Sequence, residues 1–81
     1  MSEIDGRLVD LFCRLFGEKH RPNISMDTTM ADIPEWDSLS FLNVILEIEK
    51  TFGIAIRPND AVKMTSIRSI TEVIRNKQGA A

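Results

Sequence analysis

The segment from Ser38 to Phe52 constrains the fold of this chain more than any other stretch of its sequence. With about 100° of rotation per residue, its apolar side chains spread over more than half of a helix circumference. They are Leu39, Phe41, Leu42, Val44, Ile45, Leu46, Ile48 and Phe52. Such a helix cannot lie on one side of a core, so we predict a central helix over residues 38–52 that Gly53 ends. The polar strip left to face water consists of Ser40, Asn43, Glu47 and Lys50.

Two further segments have the spacing of three and four residues that is typical of amphipathic helices. In the first, about residues 4–16, the apolar positions are Ile4, Leu8, Leu11, Phe12, Leu15 and Phe16. In the last, about residues 66–77 with Thr65 or Ser66 as N-cap, they are Ile67, Ile70, Val73 and Ile74. Pro58 suits the start of a short helix over residues 58–63. The apolar run 54–56 has no partner segment for a sheet, so the sequence predicts an all-α fold.

Residues 17–37 lack periodicity and collect proline, asparagine, serine, threonine and aspartate, which predicts a long loop between the first two helices. Loops of this length are uncommon in compact domains and tend to be functional or anchored by their own side chains. Candidate anchors are Ile24, Met26, Met30, Ile33 and Trp36. We therefore expect the loop to pack over the helices.

The size and charge of the chain favour a protein that carries or binds something over an enzyme. A single domain of 81 residues has room for one modest core and little for a preorganised catalytic site. The net charge is −2, but it is unevenly distributed. Up to Ile56 there are ten acidic and five basic residues, and after Ile56 there are two acidic and five basic residues. An acidic centre suits a basic protein partner better than nucleic acid, which needs a continuous cationic surface.

The single cysteine, Cys13, excludes an intramolecular disulfide and a cysteine-based metal cluster. It lies among the apolar residues of the first helix, so we expect a buried structural thiol. No apolar stretch approaches the roughly 20 residues that span a bilayer, and no cationic start precedes an apolar run. We expect a cytoplasmic protein with no membrane partner.

Asp37, Ser38 and Leu39 stand where the long loop meets the most apolar helix. A serine at that position can be an N-cap that binds free backbone amides. It can also carry a phosphate, because the positive end of a helix stabilises an attached anion. The position alone leaves both roles open, and one residue can serve them in turn.

Several runs of this chain resemble the acyl carrier protein family in order and spacing. They are Trp36-Asp37-Ser38-Leu39 with the apolar helix after it, Phe52-Gly53-Ile54, and Thr65-Ser66-Ile67 at the start of the last helix. The likeness covers residues 4–76. It implies a single carrier domain over residues 1–81, folded as a four-helix bundle with a short third helix. It also implies a monomer that is not an enzyme.

The resemblance further implies that Ser38 bears 4′-phosphopantetheine, transferred from coenzyme A by a magnesium-dependent phosphopantetheinyl transferase. The thiol of this arm would carry acyl groups as thioesters between acyl-loading and acyl-transfer enzymes. Asp37 and Leu39 would flank the attachment point. Asp37 would either be recognised by the transferase or act as a loop cap. Trp36 would pack in the core or dock against a partner.

The expected docking residues lie along the helix after Ser38. Leu39, Asn43, Leu46 and Lys50 recur at spacings of four, three and four, which places them on one stripe. In fatty acid synthesis members this helix is strongly acidic, whereas here Ser40, Asn43 and Lys50 replace several carboxylates and leave Glu47 and Glu49. The chain therefore resembles a specialised carrier more than a housekeeping one. Phe41 would fill part of the acyl pocket, which favours a short or polar cargo.

Three other functions can be weighed against the acyl carrier. A hydrolase using Ser38 and His20 lacks a strand-turn-helix nucleophile elbow, so we set it aside. An aminoacyl or peptidyl carrier of a specialised pathway would share the same attachment site. A helical interaction module, in which Ser38 is only an N-cap, would share every periodicity described above.

Overall fold

The computed structural model describes residues 3–79 and consists of helices joined by ordered loops. The α-helices are α1 (Glu3–Phe16), α2 (Ser38–Phe52), α3 (Pro58–Ala61) and α4 (Ile67–Gly79). Residues 3–79 contain no β-strand, and one isolated bridge pairs Thr29 with Ser66. The predicted all-α class is confirmed. Helix α2 has the predicted bounds, α3 is two residues shorter than predicted, and α4 is shifted towards the C-terminus.

Local signals mark the end of α2 and the start of α4 where the sequence suggests them. Gly53 follows α2 with φ 66° and ψ 38°, a left-handed conformation that a residue without a side chain adopts at little cost, and its amide donates to the Glu49 carbonyl. At the start of α4, the Ser66 hydroxyl accepts a hydrogen bond from the Ser69 amide at 3.1 Å, so Ser66 is the cap of the two candidates.

The core forms where α1, α2 and α4 meet, with further side chains from the loops. The buried apolar residues on the helices are Leu8, Leu11, Phe12, Cys13, Val44, Ile48, Phe52, Ile67, Ile70, Val73 and Ile74. Ile33, Trp36 and Met64 add to this core from the connecting segments. Helix α1 packs against both α2 and α4, so α1 joins the three long helices into one bundle.

The prediction that α2 is the central helix, with only a polar strip exposed, is wrong. Only Val44, Ile48 and Phe52 of α2 are buried, at the four-residue spacing of a single face. Leu39, Leu42 and Leu46 are 79%, 60% and 61% exposed. The reason is that α1 covers one side of α2, and nothing among residues 3–79 covers the other side as completely. A count of apolar residues around a helix does not tell which of them another element will cover.

The segment between α1 and α2 packs over the bundle, as predicted. It contains two 3-10 helices, Glu18–Asn23 and Met30–Asp32. Ile33 and Trp36 enter the core, while Ile24, Met26 and Met30 pack against its edge. The Ile67 and Arg68 amides at the start of α4 donate to the carbonyls of Thr28 and Met26, both at 2.9 Å. These bonds satisfy amides that a helix start leaves free, and they hold the loop against α4.

Candidate functional site

The junction of the loop with α2 brings Asp37, Ser38 and Leu39 to an exposed corner of the bundle. Asp37 is the N-cap: its backbone is extended, with φ −116° and ψ −172°, and its Oδ1 accepts from the Ser40 amide at 2.9 Å. Hydrogen bonding from the Ser40 amide lowers the pKa of the Asp37 carboxyl. Ser38 is the first residue of α2, so the interpretation of Ser38 as the N-cap is wrong. Its exposed side chain is not needed to cap the helix.

Trp36 anchors this junction from the inside. The ring is 1% exposed, its centroid lies 4.9 Å from that of Phe12 in an edge-on arrangement, and it lies 6.5 Å from the Phe41 ring. Aromatic pairs in such geometries add packing energy beyond burial alone. A buried ring cannot contact a partner, so the assignment of Trp36 to the docking surface is wrong. Its role is packing, which holds the backbone just before Ser38 in the core.

Glu35 connects the same junction to the first 3-10 helix. Its Oε1 lies 3.0 Å from His20 Nε2, and its Oε2 lies 3.3 Å from the Lys19 ammonium. Its backbone carbonyl accepts a hydrogen bond of 2.7 Å from the Ser40 hydroxyl. The pKa of the Glu35 carboxyl is lowered, chiefly by a hydrogen bond with its own backbone amide and then by His20. Sequence reasoning missed this cluster, because its members come from three separate segments.

The predicted stripe of Leu39, Asn43, Leu46 and Lys50 is exposed along its whole length. Leu42 belongs to the same outer face with 60% exposure, although the sequence analysis placed it in the core. Its spacing of three from Leu39 and four from Leu46 is the signal that could have found it. The outer face of α2 is therefore an apolar surface that begins next to Ser38.

The other predicted docking residues of α2 are engaged within the chain. The Glu47 carboxylate lies 3.2 Å from the Arg14 guanidinium of α1. Glu49 Oε2 accepts from the Ile56 amide at 2.8 Å, and Glu49 is half-buried. Ser40 is also half-buried, with its hydroxyl turned to the Glu35 carbonyl. Of the residues that the sequence assigns to docking, these three and Trp36 thus have partners inside the molecule.

The junction lies within the part of the chain that matches a known family. A sequence model of the family described as "Phosphopantetheine attachment site" matches residues 6–74. The chain belongs to the acyl carrier protein family. Members of this family carry a phosphopantetheine group, which is the prosthetic group of this carrier as well.

Curated relatives agree over nearly the whole chain. An acyl carrier protein of Lactobacillus johnsonii is 28% identical over 77 residues, which is 95% of each chain. An acyl carrier protein of Rickettsia bellii strain RML369-C is 28% identical over 78 residues, covering 93% of this chain and 90% of the relative. A second strain of that species, OSU 85-389, matches at the same identity. The likeness therefore covers the whole bundle and not only the loop.

The residues at the start of α2 suit a phosphate-linked group. The Ser38 side chain is exposed and stands at the positive end of a helix of 15 residues, where an added anion is stabilised. Trp36 and Val44, on either side of the junction, are buried in the core. No helix among residues 3–79 is long and apolar enough to cross a membrane.

Proposed function

We propose that this carrier binds its phosphopantetheine arm through Ser38 and presents acyl groups, held as thioesters on the thiol of that arm, to partner enzymes. The observation that carries the proposal is the exposed position of Ser38 at the first residue of α2, inside the matched region 6–74. The other described serines have different settings: Ser66 and Ser69 are half-buried and bound to each other, and Ser40 is bound to Glu35. Ser25 is exposed, but it lies in the loop, where its hydroxyl accepts from the Asp27 amide.

The chain contributes a nucleophile and a favourable field to its own modification. The Ser38 oxygen would form a bond to the phosphorus of the phosphopantetheine phosphate, the bond from that phosphorus to the rest of coenzyme A would break, and the hydroxyl proton would leave to the medium. The positive end of the α2 dipole favours the added negative charge. The Asp37 carboxylate is turned to the Ser40 amide, so its own charge is partly offset.

Intact mass spectrometry tests the attachment. The purified chain is incubated with coenzyme A, Mg²⁺ and a broad-specificity phosphopantetheinyl transferase, and the modified residue is located by peptide fragmentation. We expect the addition of one phosphopantetheine unit on Ser38, and none on Ser38→Ala. Ser66→Ala is the matched control and should be modified like the wild type. Modification of Ser38→Ala, or none of the wild type, would contradict the proposal.

We further propose that this carrier serves specialised partners instead of the enzymes of ordinary fatty acid synthesis. Glu47 is paired with Arg14 and Glu49 accepts from the Ile56 amide, so neither carboxylate stands unpaired on the outer face of α2. The exposed stripe offers leucines, an asparagine and a lysine in their place. Loading by an acyl-activating enzyme and by an amino acid-activating enzyme, compared by mass, would separate an acyl carrier from an aminoacyl carrier.

A further inference from the structure

Ser40 joins the segment before Ser38 to the helix after it. Its amide donates to Asp37 Oδ1 at 2.9 Å, and its hydroxyl donates to the Glu35 carbonyl at 2.7 Å. The two acceptor residues, Glu35 and Asp37, lie on either side of Trp36 in the sequence. Ser38 follows Asp37 and precedes Ser40 by two residues. The turn that leads into Ser38 is therefore closed by two hydrogen bonds from a single residue.

The far side of this turn is also held in place. The Glu35 carboxylate contacts His20 and Lys19, which come from the 3-10 helix that follows α1. The side chain of His20 is only 14% exposed, so the contact is partly shielded from water. Trp36 is fixed in the core, and its amide donates to the Ile33 carbonyl at 3.0 Å. The Ser40 hydroxyl therefore connects the start of α2 to a segment that is held by the core and by the 3-10 helix.

We propose that Ser40 is a positioning residue for the modification of Ser38, acting through the Glu35 carbonyl; this rests on the proposed attachment at Ser38. Without the Ser40 hydroxyl, residues 35–37 lose one of the bonds that close the turn, so the first turn of α2, which carries Ser38, is held less firmly against the loop. Transfer to an oxygen requires that it be placed accurately against the phosphorus, and a shift of about 1 Å can cost on the order of a hundredfold in rate. Ser40 does not itself touch the reacting atoms.

Steady-state kinetics of the full chain with a broad-specificity phosphopantetheinyl transferase and coenzyme A test this role. We expect Ser40→Ala to lower kcat about tenfold with little change in KM. Ser40→Thr keeps a hydroxyl that can donate to the Glu35 carbonyl, and it should restore kcat to within about twofold of the wild type. Ser66→Ala is the matched control, since it removes a serine hydroxyl from the start of α4 in the same way. It should leave both constants unchanged.

Fluorescence of Trp36, the single tryptophan of the chain, gives a second readout. We expect Ser40→Ala to change its emission in the folded state, because the residues on both sides of the ring lose a constraint. Circular dichroism confirms that every variant is folded under the assay conditions. A structural role alone would lower the midpoint of unfolding and leave kcat unchanged.

The outcomes separate the two proposals. If the wild type is not modified at Ser38, the proposed attachment fails. If the wild type is modified at Ser38 and Ser40→Ala has the wild-type kcat, the positioning role is overturned. A rise in KM at constant kcat also overturns it, because Ser40 would then contact the transferase directly. A tenfold loss of kcat that Ser40→Thr does not restore would likewise exclude the hydroxyl as its cause.

Discussion

The Lys77 ammonium lies 2.7 Å from the Asp60 carboxylate, and this pair joins the end of α4 to the short helix α3. Both side chains are mostly shielded, at 28% and 21% exposure, and Asp60 Oδ2 also accepts from the Arg57 amide. Helix α3 has only four residues, which is too short to be stable without such contacts. The pair is therefore a direct polar link between these two helices.

Asp60→Asn should destabilise the protein at neutral pH and much less at acidic pH. Lys77 lowers the pKa of the Asp60 carboxyl, so the contribution of the charge to stability is present above the ordinary aspartate pKa and is lost as the pH falls through the lowered value. Asparagine can still accept from the Arg57 amide, which isolates the effect of charge. Urea unfolding of wild type and variant at pH 7 and near pH 3 measures the difference. If the free energies of unfolding of wild type and variant differ by the same amount at both pH values, the Asp60 charge does not contribute to stability as described.

Ser38→Ala should change the free energy of unfolding by less than about 0.5 kcal/mol, because Ser38 is an exposed first residue of α2 and not its cap. Alanine is also the better helix former. Asp37→Ala should destabilise the protein more, since it removes the acceptor of the Ser40 amide. Thermal unfolding of the two variants checks the order. A larger loss for Ser38→Ala would show that the hydroxyl caps the helix in solution.

Cys13 should react slowly with a thiol reagent in the native protein. Its side chain is 2% exposed, and burial raises the pKa of the thiol, so little thiolate is available. We expect labelling at least about a hundredfold slower than in urea, because the reagent must wait for an opening of the structure. In the modified protein, one additional thiol, that of the arm, should react fast. Fast labelling of the unmodified chain would contradict the burial of this face of α1.

Asn43→Glu combined with Lys50→Glu should improve transfer from enzymes of fatty acid synthesis at low ionic strength. Both positions lie on the exposed stripe next to Leu46, and charge complementarity acts chiefly on encounter rate. Each charge should contribute less than about 1 kcal/mol, and the gain should shrink with added salt. Malonyl transfer rates of wild type and double variant at two salt concentrations measure it. If the wild type already accepts malonyl groups as fast as an acidic carrier of fatty acid synthesis does, this prediction is contradicted.

Phe41→Ala should allow a long acyl cargo to stabilise the carrier against unfolding. The Phe41 ring is half-buried against Trp36 and occupies volume at the edge of the core. We expect the octanoyl and acetyl forms of the wild type to unfold at nearly the same temperature, since close packing leaves little room for a chain. In Phe41→Ala the octanoyl form should be the more stable of the two. If the wild type already shows this difference, Phe41 does not limit cargo length.

The local signals in the sequence determined where α2 begins and ends. An apolar helical run that starts after Asp37, and a glycine that can adopt φ 66°, act within one turn of the chain, although the structure and not the sequence identified Asp37 as the cap. The helical spacing of α1 and α4 likewise identified most of the core, because burial follows the periodicity of a single element. The proposed attachment serine was named because the Asp37-Ser38-Leu39 run resembles the acyl carrier protein family, and not from periodicity.

Tertiary structure alone decided which side of α2 is covered and which charges are free. Leu39, Leu42 and Leu46 are as apolar as the buried Ile48, and only the position of α1 leaves them in water. The contact of His20 with Glu35 joins residues 15 positions apart, and the contact of Arg14 with Glu47 joins residues 33 apart. Such contacts depend on how the helices and the loop pack together, and no periodicity within one segment encodes that arrangement.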